Sequence, residues 1–249
     1  MPSLAKCLNV SDLRAAAKRK LPRGLFEYID RGVEDEISMR GNIAAFDDIL
    51  LQPRVVRDVA QRNLTVDLFG VQSRLPMVVA PTGSAGLLWF DGEIALAQAA
   101  RDFGIPFTLS TGSITSIERI GAEAGGRLWF QLYVVPEWSH TEKLIGRAKA
   151  AGFEALVVTV DSITDTNREY NERNGFTVPM RMTRQNVLDC ALHPSWSFSV
   201  LLRYIATTGM PRFSNMPTSA EATLSSAKKV VFPKSQSITD RCTKYCLVR

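Results

Sequence analysis

Histidine is nearly missing from this chain: 249 residues hold only His140 and His193. Neither of the two lies in a context that marks a catalytic base. Both read as structural, His140 opening a surface-facing helix and His193 lying in a loop before Pro194. Cysteine is also scarce. Cys7, Cys190, Cys242 and Cys246 are scattered, which excludes a disulfide framework and fits a reducing compartment. Cys242 and Cys246 have no second ligand pair and no histidine nearby, so no metal site is expected. No apolar run reaches the roughly 20 residues that span a bilayer. The first twenty residues hold no apolar core of signal-peptide length, so secretion is not expected and a cytoplasmic location is.

Net charge is +5, and most of it sits at one end. Residues 219–249 carry six basic and two acidic residues, a net +4, which leaves +1 for residues 1–218. The basic character therefore belongs to the tail, and no nucleic-acid binding by the main body is expected. Glycine is absent after Gly209, and the tail lacks helix–strand alternation. The expected division is residues 1–218 as part of a folded domain and 219–249 as an unrelated, disordered basic tail.

What the chain does have is rhythm. Ser11 reads as the N-cap of a helix over Asp12–Arg19, and Leu21-Pro22 as the start of a second helix that Gly32 ends. A third helical candidate covers residues 34–47, and extended segments lie near Val55 and at Leu64–Phe69. From residue 76 onward, strands at 76–80, 106–110, 128–134 and 155–161 alternate with helices at 91–103, 116–124 and 137–151. Helical segments follow around Val187 and over Phe198–Thr207. Short connections and alternation argue for a parallel sheet with crossover helices. No GxGxxG follows the first strand, which disfavours a dinucleotide-binding fold. The expected fold is α/β, a TIM (β/α)₈ barrel of which the chain supplies about the N-terminal half, preceded by a helical segment.

The strand ends carry the chemistry. Side chains two apart on a strand share a face, so Gln131 and Tyr133 point the same way, as do Thr159 and Asp161. Polar groups also end the other strands, at Pro81-Thr82-Gly83 and at Ser110-Thr111. A barrel collects its active site on that rim. Each residue has a plainer reading when taken alone. Gln131 can cap a strand end, Tyr28 can be core, Arg168 can be a surface charge, and Asp161 can cap the next segment.

Taken together, Leu21-Pro22 with Tyr28, Ala80-Pro81-Thr82-Gly83, Leu109-Ser110-Thr111, Phe130-Gln131-Leu132-Tyr133, Thr159-Val160-Asp161 and Arg168-Glu169 resemble the FMN-dependent 2-hydroxy-acid dehydrogenases and oxidases. The likeness covers about residues 8–216. Leu88-Trp89 and the run from Leu188 to Trp196 look most like the mandelate dehydrogenase branch. The resemblance implies an FMN cofactor and oxidation of a mandelate-like or lactate-like 2-hydroxy acid to the 2-oxo acid. It implies that Pro81, Thr82 and Gly83 lie against the flavin, where a small residue permits close approach. Ser110, Gln131 and Thr159 would bond its polar edge. Tyr28, Tyr133 and Arg168 would bind substrate, with Tyr133 and Asp161 in catalytic roles and Asp161 orienting a histidine base.

The family's base within Ser-Asn-His-Gly-Gly, its flavin lysine and its FMN phosphate segment have no counterpart in this sequence. By that resemblance the chain is truncated on its C-terminal side. The alternative expectation is therefore a non-catalytic fragment. Full-length relatives would be homo-oligomers. The apolar and basic residues of 176–213, among them Trp196, Phe198, Val200, Leu201, Leu202, Tyr204, Ile205, Arg184 and Arg203, suit peripheral membrane contact or cover of the barrel.

Overall fold

The computed structural model describes residues 4–134, 138–160, 167–176 and 183–216. Two helices open it, α1 (Val10–Lys20) and α2 (Arg23–Asp30). The cap of α1 is Asn9, two residues earlier than the sequence predicts, because its extended backbone lets its side-chain oxygen accept from the Asp12 N–H at 2.8 Å. Asp12 in turn accepts from the N–H of Leu8, the residue before the cap. The third helix is shorter than expected, α3 (Ile37–Ala44). A small antiparallel pair follows, β1 (Val66–Leu68) and β2 (Val71–Ser73).

The main sheet alternates with helices as the sequence predicts. In order come α4 (Ala85–Leu88), α5 (Gly92–Phe103), β3 (Phe107–Ser110), α6 (Ile117–Glu123), β4 (Leu128–Tyr133), α7 (Trp138–Ala150) and β5 (Ala155–Thr159). The strands are parallel in the order β3-β4-β5, with Ser110 opposite Gln131 and Tyr133 opposite Thr159. The strand expected at 76–80 is reduced to a single bridge between Val79 and Phe107. Val79 donates to Pro106 O and accepts from the Thr108 N–H, and the ladder goes no further. The parallel strands and crossover helices form part of a (β/α)₈ barrel.

The core explains the order of elements. Leu109, Phe130 and Leu132 are fully buried between α5, α6 and α7, which contribute Ala97, Ile117, Ile120 and Ile145. β4 is central and buried, whereas β5 is half-buried along its whole length because one of its edges has no partner strand among the described residues.

A second core joins the N-terminal helices to the C-terminal ones. These are α8 (Glu169–Asn174), α9 (Arg184–Leu192), α10 (Pro194–Trp196) and α11 (Leu202–Thr207), with a π-helical turn over Ser197–Leu201 between the last two. Leu25 and Phe26 of α2 pack there with Phe176, Trp196, Val200, Leu201 and Tyr204. Trp196 is fully buried and its indole N–H donates to Leu87 O at 2.7 Å. Trp196, Val200, Leu201 and Tyr204 are therefore core, not interfacial. Phe198, Leu202 and Ile205 point outward on the same segment.

Candidate functional site

Parallel strands deliver their C-terminal ends to one rim, and three predicted side chains meet there. Gln131 is almost wholly buried at the end of β4. Its Oε1 accepts from Ser110 Oγ and from the Thr111 N–H, both at 3.1 Å. Its Nε2 donates to Thr159 Oγ1 at 2.7 Å. Ser110 in turn accepts from the Gly112 N–H at 3.1 Å. The hydroxyl hydrogen of Ser110 is thus spent within the network. Among the described residues, Thr159 accepts from Gln131 and has its own hydrogen left to donate, and Gln131 has a second N–H. The donors left on this line are those of Gln131 and Thr159.

Beside this line two glycines face each other. A Cβ on Gly83 would lie 3.4 Å from Gly112 O and 3.7 Å from the Tyr28 hydroxyl. A Cβ on Gly112 would lie 3.6 Å from Ser110 Oγ and 3.9 Å from both the Gly83 Cα and Met216 Cε. The missing side chains leave a shallow cradle floored by backbone. Pro81 and Gly83 are half-buried and Thr82 is exposed. The loop is held by the Ser84 N–H donating to Gly112 O at 2.9 Å, with Ser84 in the left-handed region at φ 59°. Ser84 Oγ is buried without a partner among the described residues.

The predicted substrate residues converge on the same cradle. Tyr28 stacks on Phe176 at 4.8 Å between ring centroids, and the Arg168 guanidinium lies 5.6 Å from the Tyr28 ring centre. Burial pushes the Tyr28 hydroxyl up from its ordinary pKa; Arg168 opposes the shift and Tyr133 adds to it. Arg168 and Tyr133 thus both lie within electrostatic reach of Tyr28. Tyr133 ends β4 beside Thr159, and its N–H donates to Thr111 Oγ1 at 3.3 Å. Asp161 lies outside the described residues. His193 is tied to α9, its ring nitrogen 2.8 Å from Asp189 O, so it serves that helix end.

Three contributors had no sequence signal, and a fourth, Thr111, was marked only as a strand-end residue. Thr111 bonds the backbone of Gln131 with its hydroxyl at 2.6 Å. Phe176 backs Tyr28. Glu93 and Asn215 are buried polar residues that bond the loop after β3. Only their burial and partners reveal them, since nothing local in the sequence marks a residue that acts across about 20 to 150 positions.

Comparison with known proteins gives this arrangement its setting. The family model for FMN-dependent dehydrogenases matches residues 17–239. The chain is 36% identical over 216 residues to (S)-mandelate dehydrogenase of Pseudomonas putida, covering 87% of this chain and 53% of that protein. It is 40% identical over 192 residues to L-lactate dehydrogenase of Pseudomonas syringae pv. syringae, covering 77% of this chain and 50% of that one. Among solved structures, monotopic membrane protein (S)-mandelate dehydrogenase superposes with a TM-score of 0.79 at 35% identity, over 89% of this chain and 58% of its own. The chain spans about half the length of the curated relatives it matches.

Proposed function

Because this chain belongs to the FMN-dependent dehydrogenase family, we propose that it serves the FMN-dependent oxidation of a small 2-hydroxy acid, mandelate-like or lactate-like, to the 2-oxo acid. The observation that carries the reading is the hydrogen-bonded line Ser110–Gln131–Thr159 set beside the Gly83–Gly112 cradle. When bound, FMN supplies the ring that accepts the electrons leaving the substrate carbon.

The residues of this rim fit the ring of that group, while the family's phosphate segment has no counterpart in this sequence. Thr159 and Gln131 have hydrogens left to donate, which suits the carbonyl and ring-nitrogen acceptors on a flavin's edge. The Pro81–Gly83 backbone and Gly112 leave room for a flat ring to approach. Tyr28 stays protonated across the neutral range, because burial raises its pKa, and so donates to a carboxylate. Arg168 supplies the matching charge. Tyr133, on the face that also presents Gln131, bonds the substrate hydroxyl. Asp161 corresponds to the residue that orients the family's histidine base, a base that has no counterpart in this sequence.

A second reading is favoured by a specific observation. His193 is committed to the end of α9 and His140 sits in the first turns of α7, neither at the strand ends. The chain as written would then supply the flavin-edge and substrate wall without turning over unaided. We also infer a peripheral membrane contact through the outward residues of α9, the π turn and α11. Leu188, Leu192, Phe198, Leu202 and Ile205 are exposed beside Arg184. Among the described residues no helix is long and apolar enough to cross a membrane.

The visible spectrum of the purified chain with added FMN tests both readings. A bound flavin band that bleaches on addition of (S)-mandelate or L-lactate is the expected result. A bound band without bleaching selects the second reading. Failure to bind FMN at all overturns both.

A further inference from the structure

The loop after β3, residues 111–116, forms one side of the cradle, yet it contains no regular structure of its own. Its geometry must come from elsewhere. On the sheet side Gln131 and Ser110 hold Thr111 and Gly112. On the other side the loop is held by residues far away in sequence. Glu93 of α5, 1% exposed, accepts from the Ile114 N–H at 3.3 Å and from Thr115 Oγ1 at 3.0 Å. Ser214 donates from its N–H to Ser113 O at 3.1 Å and from its hydroxyl to Ile114 O at 2.6 Å.

Asn215 does more. It is 1% exposed, and its carboxamide makes four hydrogen bonds. Oδ1 accepts from the Ile117 N–H at 3.1 Å and from Arg147 Nη2 at 3.2 Å. Nδ2 donates to Ser113 Oγ at 2.9 Å and to Thr115 O at 3.1 Å. Both lone pairs and both hydrogens of the amide are used. The two halves of the group do different jobs. The oxygen anchors the start of α6; the nitrogen grips the loop. A carboxylate of the same shape could do only the first.

The geometry points to Asn215 as a positioning residue for the site. Through its Nδ2 bonds to Ser113 and Thr115 it fixes Gly112, whose carbonyl accepts from the Ser84 N–H and so holds the Pro81–Gly83 backbone. The C-terminal arm thereby sets the spacing of the two facing glycines. The purpose assigned to that spacing rests on the flavin reading above. The clasp itself does not, and it can be measured without a flavin.

Asn215→Asp keeps the acceptor for α6 and deletes both donors, so it separates the two jobs. Ser113→Ala removes one recipient and is a milder alternative if the aspartate variant does not fold. Amide hydrogen exchange is read at Ser84, which neither substitution touches directly. FMN affinity is then read by fluorescence quenching. The expected result is exchange at Ser84 about tenfold faster and FMN binding about tenfold weaker, the scale of one lost hydrogen bond. A role confined to anchoring α6 would leave both unchanged in Asn215→Asp, and that result would overturn the proposal. Faster exchange with unaltered FMN affinity would overturn the link to the site. If the parent chain takes up no FMN, the flavin reading fails by itself, and exchange at Ser84 alone decides the clasp.

Discussion

Gln131 and Thr159 are joined across β4 and β5 by a 2.7 Å hydrogen bond whose direction is fixed by a third group. The Thr111 N–H can only donate, and it meets the Gln131 side chain at 3.1 Å, so oxygen faces Thr111 and nitrogen faces Thr159. Thr159→Val preserves shape while deleting both the acceptor for Gln131 and the outward donor. FMN affinity should fall about tenfold or more, and stability by roughly 1–3 kcal/mol for the amide left unpaired. Fluorescence titration and urea unfolding measure the two separately. Unaltered affinity would remove Thr159 from the cofactor edge.

The glycines of the 81–92 region should divide sharply on substitution. A Cβ on Gly83 would meet its nearest neighbours at 3.4 Å and 3.7 Å, ordinary contact or nearly so. Gly83→Ala should therefore fold with a melting temperature within a few degrees of the parent, while occupying the cradle and lowering FMN or substrate affinity. A Cβ on Gly92 would lie 2.5 Å from Ala85 O, a backbone atom that cannot swing aside. Gly92→Ala should cost about 1–3 kcal/mol of stability through overpacking. Thermal melts of the two variants side by side test the contrast.

Acid should loosen the outer face of α6. Arg147 bonds Glu118 and holds its carboxyl down at about 2, well below the usual carboxylate range. A pKa depressed on folding gives stability that is present above about pH 4.5 and lost as pH falls toward 2. The Glu118 side chain is 56% exposed and Arg147 34%, so solvent screening keeps the contribution below about 1 kcal/mol. Urea midpoints between pH 5 and 2.5 should fall less steeply in Glu118→Gln than in the parent. Parallel curves would contradict the assignment.

The strand-end residues were legible because a period of two is a strong constraint: Gln131 and Tyr133 had to share a face, and they do share one rim with Ser110 and Thr159. The alternation of helices and strands was legible for the same kind of reason, with apolar spacing and the Gly104 cap marking the end of α5. Competition between neighbours was not legible. Ser11 and Asn9 are both good caps, and only backbone geometry chose Asn9. The run at 76–80 has strand composition but makes one bridge, since a ladder needs partners as well as propensity. The apolar run at 196–205 could not reveal which residues faced inward, because a π turn breaks the helical period inside it. Glu93 and Asn215 were invisible because their partners are 21 to 102 residues away.

The outward residues of α9, the π turn and α11 should govern any membrane contact. Leu192 is 70% exposed and Phe198 71%. Leu192→Asp with Phe198→Asp removes apolar surface and adds like charge at an anionic interface, so co-sedimentation with anionic vesicles should drop several-fold. Melting temperature should change little, as neither residue is core. Equal sedimentation of parent and variant would exclude this face.

The π turn at Ser197–Leu201 holds one residue more than an α-helical turn requires. Each residue of an α-helix advances the chain by about 100°. That surplus therefore sets the rotational phase of everything after it. In the present phase Tyr204 turns inward, and its hydroxyl accepts from the Asp91 N–H at 2.9 Å at the head of α5. Phe198, before the slip is complete, and Leu202 and Ile205, beyond it, remain on the outside. A single inserted position thus sorts one helix into an anchoring face and a free one. Deleting one residue from the turn would exchange them, carrying Tyr204 into solvent without altering any other letter of the sequence.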